Sequence, residues 1–517
     1  MKPGTLAFIT GFIFLLTLAL PVQLAAQHTR YKLIDIGTLG GPVSYIAGNE
    51  TGHRQLNNRG IVAGTADIST PDPNVANPDL CLNPDCFLSH AFQWQNGVLT
   101  DLGTLAGFDN FSGANVINER GWIAGSSQTG DLDPVTGGLA QHAVLWKDGE
   151  IIDLGTLGGN ESGGYYINNE GQVVGASAIN TTFDPSSQFG ATTHPFLWEN
   201  GVMLDLGTLG GPDAFPWNGC ANQRKGLVVG GSNTSSIPDP ATGLLPNAPF
   251  LWENGTMVNL GTLGGTQGGA ACANNRGQVI GASSLADNPG ACSEEGGPGC
   301  HAFLWEHGVM QDLGTLGGDN STPAWINDAG EIVGGADLPG SEVEHAFLWR
   351  KGVMTDLGTL GSWSHAEAIN STGQVVGTSR LLDRTEPPFR HAFLSEEGRP
   401  MIDLNSLIPA NSSLELVEAA IINDRGEILG QGVPGRCFVD DCGHLFLLIP
   451  CAEGTDDCGD PAGGRHNCHD GTHSSACYQQ PNNIASTSSD AQRDGWTACS
   501  ADAAVSHPRP FGAWPRD

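Results

Sequence analysis

Basic residues are scarce in this chain: 22 Lys and Arg stand against 55 Asp and Glu in 517 residues, leaving a net charge of −33. A field of that sign repels phosphate backbones and anionic membrane surfaces, so nucleic acid is excluded as a partner. Long apolar runs are absent beyond one stretch, Leu6 to Leu20, and no later segment suffices for a membrane span. Aromatic residues make up only 7% of the chain, while Gly supplies 74 positions and Pro 31, a balance that fits many short strands joined by tight turns. Compact catalytic and metal-binding signatures are missing as well: there is no His-Glu-x-x-His, no EF-hand loop, no Asp box and no Gly-x-Ser-x-Gly. No catalytic residue, cofactor site or metal site is assigned from motif, and the chain reads as a non-enzyme.

The N-terminus combines Lys2, the Leu6–Leu20 apolar run, the breaker Pro21 and the small residues Ala25 and Ala26. These are the three parts of a secretory signal peptide, assigned to residues 1–26. The product is expected to be secreted and extracellular, with the periplasm as the other compartment, and to be a monomer without membrane insertion. Thirteen cysteines in an exported chain point to disulfides.

What the sequence has in abundance is one repeat. Asp-Leu-Gly-Thr-Leu-Gly-Gly or a variant begins at Asp35, Asp101, Asp153, Asp205, Asn259, Asp312, Asp356 and Asp403, at spacings of 44 to 66 residues. Self-similarity at that period signals a propeller or another array. A short apolar stretch ending in Asn-x-x-Gly is followed by a partner such as Gln172-Val173-Val174-Gly175, predicting a hairpin near Asn57, Asn118, Asn168, Asn222, Asn274, Asn327, Asn370 and Asn423. A second hairpin joins the His-Ala-Phe-Leu-Trp piece to the strand entering Asp-Leu-Gly, through turns such as Asn96-Gly97 and Asn200-Gly201. Four antiparallel strands in about 50 residues are what a propeller blade requires.

The ends complement each other: Tyr31 to Asp35 reads as a fourth strand without a third, and His444 to Leu448 as a third without a fourth. We therefore expect an all-β, eight-bladed propeller over residues 27–450, its N-terminal strand pairing with the last blade. The chain resembles the bacterial extracellular HAF-repeat family through His90–Phe92, His301–Phe303, His345–Phe347 and His391–Phe393. The resemblance implies an exported repeat protein and no assigned reaction.

With Asn96-Gly97 as the turn, Phe92 falls opposite Asp101, and His90 becomes a diagonal neighbour of Asp101 within hydrogen-bond reach. The same spacing pairs His142 with Asp153, His194 with Asp205, His301 with Asp312 and His345 with Asp356. His391 pairs with Asp403 across a longer turn, and ring closure offers Asp35 to His444. One repeat loses both partners together, carrying Ala248 and Asn259. A pair repeated around a ring, with no Ser nucleophile beside it, reads as a structural lock. The repeat Trp residues, Trp94, Trp146, Trp198, Trp252, Trp305 and Trp349, read as inter-blade packing.

Loops between second and third strands vary in length, from 26 residues between Gly64 and His90 down to 11, and all share one face. Binding proteins place such variety on a rigid scaffold. The expected function is a binding scaffold for an extracellular protein or glycan; the alternative is a carbohydrate-active hydrolase or lyase of the central channel, using Tyr165, Trp217, His365 and Glu367. Asp-Pro pairs at Asp72, Asp133, Asp184 and Asp239 offer calcium ligands, and solvated acidic loops account for the same residues. Cys81 with Cys86, Cys292 with Cys300 and Cys437 with Cys442 read as local disulfides, while the pairing of Cys220 and Cys272 stays open. Residues 451–517, polar and carrying five cysteines, read as a largely disordered tail.

Overall fold

The computed structural model describes residues 29–451, except for 47–53, 76–80, 82, 84, 185–186, 188–189, 217–225, 290–291, 293–298, 342, 383, 385–386 and 397–398. The signal-peptide and tail readings thus lie outside the described residues. Strand pairing produces eight separate four-stranded antiparallel sheets. Seven are consecutive in sequence, spanning 40–101, 112–153, 162–205, 214–259, 264–312, 321–356 and 363–403. We call these blades 1 to 7. Blade 8 takes three strands from 415–450 and its outermost from Tyr31–Asp35, which pairs antiparallel with His444–Pro450. The ring is closed by the strand that the complementary ends predict.

Local chemistry explains the repetition. Six turns between third and fourth strands carry two successive residues at positive φ, as at Asn96 (52°) and Gly97 (83°) or Lys351 (51°) and Gly352 (86°). These are type I′ turns, whose twist matches that of the strands they join. Their register sets Phe92 opposite Asp101 and Phe347 opposite Asp356. In Asp-Leu-Gly-Thr-Leu-Gly-Gly, the Asp accepts from the Gly two residues on, as Asp101 does from Gly103 at 2.8 Å. The Thr hydroxyl then donates to the second Gly of the closing pair, as Thr156 does to Gly159 at 2.8 Å. The motif is a knuckle that turns the chain from one blade into the next.

The core lies between blades. Trp146 shares a cluster with Ile61, Ala63 and Ala91 of blade 1 and donates its indole N–H to Leu102 O at 3.0 Å. Trp198 packs likewise with Val116, Ala124 and Leu145 of blade 2. All six repeat Trp side chains sit in clusters shared with the preceding blade. Repeat units that bury their faces only against neighbours derive their stability from those interfaces.

A second interlock rings the channel. Among the described residues, the Asn opening a first hairpin accepts two N–H groups of its own turn, Asn57 from Arg59 and Ile61 at 3.0 Å each. Its side-chain amide donates to the backbone carbonyl of the equivalent Asn one blade on. Six such bonds, from Asn57, Asn118, Asn274, Asn327, Asn370 and Asn423, measure 3.0 to 3.1 Å. The two remaining steps pass through Asn222, outside the described residues. Turn chemistry predicts these asparagines; the bond to the next blade is a finding of the structure.

Candidate functional site

First-to-second and third-to-fourth turns cluster on one face, which we call the turn face, and the fully described ones of blades 2, 3, 5 and 6 are tight. The opposite face collects the second-to-third connections and the knuckles between blades. On this loop face the structure differs from the lengths read in sequence: in blade 1 the strands Val62–Pro71 and Phe87–Gln95 consume part of the apparent loop. Blade 2 extends similarly, through Ile123–Leu132 and Leu139–Lys147.

The three expected cysteine pairs are joined, with Cα–Cα separations of 5.2 Å for Cys81–Cys86, 4.9 Å for Cys292–Cys300 and 6.4 Å for Cys437–Cys442. Cys272 is disulfide-bonded too, whereas Cys220 lies outside the described residues. The carboxylates of Asp72, Asp133 and Asp239 cap turns. Asp133 is buried, accepting from Val135 N, Thr136 N and Oγ1, and Asn160 Nδ2 at 2.7 to 3.1 Å. Burial pushes its carboxyl up, and these donors outweigh that and hold it below the usual range. Among the described residues no three His, Cys, Asp or Glu side chains converge to hold a metal.

Each expected His–Asp couple meets through His Nδ1: His90–Asp101, His142–Asp153, His194–Asp205, His301–Asp312 and His345–Asp356 at 2.9 to 3.0 Å, His391–Asp403 at 2.7 Å and His444–Asp35 at 3.0 Å. Both Oδ atoms of Asp312 face the His301 nitrogen. Asn259, which has no His, keeps the knuckle bond to Gly261 at 2.8 Å. The couples lie at the knuckle side of every blade that carries them. Their environments differ: the His90 side chain is fully buried, with Nε2 3.0 Å from Phe108 O. His391 Nε2 instead reaches Glu415 at 2.7 Å, and Arg384 grips the same carboxylate.

Where the channel opens on the loop face, blades 6 to 8 break the repeat. His365, on the first strand of blade 7 (Trp363–Ile369), places Nδ1 2.9 Å from Glu344 Oε1 at the start of the third strand of blade 6. One interface further, Arg390 of blade 7 meets Glu418 of blade 8 at 3.3 Å. Between them stands Glu367, the extra residue of a β-bulge where the register slips from Ala366 to Ala368. Bulges re-aim side chains and recur at functional sites. Glu367 interacts electrostatically with His365, Glu418, Glu344 and Arg390. Burial pushes it up to about 7, against the lowering effect of His365. Burial alone would lower His365, but Glu344 and then Glu367 raise it to about 9. Of the other channel residues expected from sequence, Tyr165 packs on Phe215 with ring centroids 5.3 Å apart, and Trp217 lies outside the described residues. His365 and Glu367 are legible in the sequence, whereas Glu344, Arg390 and Glu418 are not, because their approach depends on how blades dock.

No family model matches the chain, and no curated protein matches it. Among solved structures it is similar to an acylaminoacyl peptidase of Pyrococcus horikoshii, at 11% identity and a TM-score of 0.39, over 76% of this chain and 58% of the peptidase. The chain thus spans less than two thirds of that enzyme. It is also similar to an ulvan lyase of a polysaccharide lyase family, at 11% identity and a TM-score of 0.34, over 73% of this chain and 100% of the lyase. A Trypanosoma rangeli sialidase matches at 9% identity and a TM-score of 0.28, over 81% of this chain and 96% of the sialidase. Such likenesses carry no statement about activity.

Proposed function

We propose that this chain is an exported HAF-repeat protein that binds an extracellular protein or glycan through the loop face of its propeller. The observation that carries the reading is where large apolar side chains meet solvent. Six of the sixteen exposed ones among the described residues, Val98, Val202, Leu204, Val258, Val309 and Val353, lie on outermost strands. The other ten all lie on the loop face, Ile237 (75% exposed) and Leu132 (72%) among them. Apolar surface gathered on one face of a polar molecule marks an interaction site. The disulfides and the absence, among the described residues, of a helix able to cross a membrane fit an exported product.

The test is capture on arrays of extracellular glycans and proteins by the wild type, by Ile237→Ser/Leu244→Ser on the loop face, and by Val309→Ser on an outermost strand. The expected result is a partner retained by Val309→Ser and lost by the double variant. Equal capture by all three overturns the reading, as does turnover of a saccharide by the wild type.

A further inference from the structure

At seven interfaces of the ring the repeat matches two positions: the residue before the repeat's His or Ala, and the first-strand residue of the next blade that pairs with the one after the second strand's Gly. In blades 1 to 5 the first position holds Ser89, Gln141, Thr193, Asn247 and Cys300. Their counterparts on the following blades are Gly113, Gly163, Phe215, Gly269 and Thr322. None of these carries a charge. The next two interfaces hold Glu344 with His365, then Arg390 with Glu418, ionisable pairs of opposite sense on either side of blade 7.

The surroundings are fitted to this departure. Gly335, on the second strand of blade 6, has no Cβ to obstruct the pair: one built there would come within 2.5 Å of His365 Nδ1 and closer still to Glu344. Thr378 holds the same register position in blade 7, opposite His365, and is 2% exposed. Its hydroxyl has no hydrogen-bond partner among the described residues. The bulge position that is Glu367 in blade 7 is Ala271, Ala324 and Ala420 in blades 5, 6 and 8, so the flanking side chains are small.

The charges do not balance. Three carboxylates, Glu344, Glu367 and Glu418, face two bases, His365 and Arg390. Glu344 and Glu418 each hold one base. Glu367 makes no ion pair or hydrogen bond with any described residue, and what it lacks is a positively charged N–H donor.

We propose that the channel mouth between blades 6 and 8 is a binding site for a basic peptide segment, which seats a lysine ammonium or arginine guanidinium on Glu367. The net charge of −33 draws such a partner toward the molecule. This deepens the loop-face reading and rests on it, since the mouth opens on that face. A cation seated on Glu367 displaces the proton that a half-protonated carboxyl holds near neutral pH, so binding and proton release are coupled.

Isothermal titration of the full chain with hexalysine and hexaarginine, at pH 7 in buffers of different ionisation enthalpy, measures affinity and proton release together. Hexaserine is the neutral control. Glu367→Gln keeps the side chain's shape, and Glu150→Gln removes an exposed carboxylate on the turn face. The expected result is saturable binding of both basic peptides, with about half a proton released at pH 7 and less at pH 8.5. Glu367→Gln should bind about ten- to a hundredfold more weakly and release no proton, while Glu150→Gln matches the wild type. Equal weakening by both substitutions, binding without proton release, or no saturable binding overturns the site. Ile237→Ser/Leu244→Ser separates the two proposals. Hexalysine binding that survives in this variant while array capture also survives rejects the apolar loop face and leaves the cation site standing.

Discussion

Asn423 in the last blade donates its side-chain amide to the backbone carbonyl of Asn57 in the first, 366 residues away in sequence, at 3.0 Å. The same bond recurs at blade junctions with no chain break to close, so closure here copies the ordinary junction. Asn423 also accepts from Arg425 and Glu427 N–H at 3.0 Å each. Asn423→Ala therefore removes one inter-blade bond and the 2.6 Å bond donated to Glu427 Oε2, and orphans two turn donors. The expected loss is about 1–3 kcal/mol, with the turn donors setting the larger part. Chemical denaturation of the variant against the parent measures the loss.

Deleting Tyr31 to Asp35 strips the outermost strand from blade 8 and bares the His444–Pro450 strand as an edge. Because stability runs through neighbour interfaces, the whole ring should melt lower and in one transition. Calorimetry on the deleted chain checks this; a melting curve identical to the parent's contradicts closure by this strand.

The His–Asp couples should differ in cost. Asp312 is 42% exposed at its side chain and keeps its bond from Gly314, so His301→Ala leaves a carboxylate that water reaches, at about 1 kcal/mol. His90 is fully buried and also meets Phe108, whose ring centroid is 5.1 Å away. His90→Ala adds a cavity and an orphaned carbonyl and should cost about 2–4 kcal/mol. Paired urea titrations give the order directly, and equal losses would show the couples to be equivalent.

Stability should fall as pH rises through the alkaline range. His365 has a folded-state value raised to about 9 by Glu344 and Glu367 against the effect of burial. Since this lies above the unfolded value near 6.5, its stabilisation is complete below about pH 6.5 and lost as pH passes about 9. Glu367, raised to about 7 by burial, acts in the same direction from about 4.5 upward. Melting temperatures between pH 6 and 9.5 should decline in the wild type and flatten in His365→Gln. A parallel decline in both would place the titrating group elsewhere.

How much of this is legible in sequence follows from locality. The type I′ turn at Asn96-Gly97 and the register it imposes are set within a dozen residues, so they can be read directly, and with them the meeting of His90 and Asp101. The split blade is legible because Tyr31–Asp35 and His444–Pro450 are each incomplete alone. Glu344 and His365 are different. They lie 21 residues apart on separate sheets, and only blade docking brings them within 2.9 Å. Glu367 needs the bulge after Ala366 to take its place among them, and no turn residue announces a bulge there. The loop lengths mislead because Val62–Pro71 continues as strand through residues that read as connection.

The divided blade also has a consequence in time. Of the ring's strands, Tyr31–Asp35 leaves the ribosome first and its partner last, with 409 residues separating Asp35 from His444. At roughly 5–20 residues per second, synthesis holds the two apart for about 20 to 80 seconds. Throughout that interval seven blades can assemble in order while the eighth waits. A chain cut short before His444 has no means of finishing the ring, so the fold itself tests whether synthesis has reached the last blade.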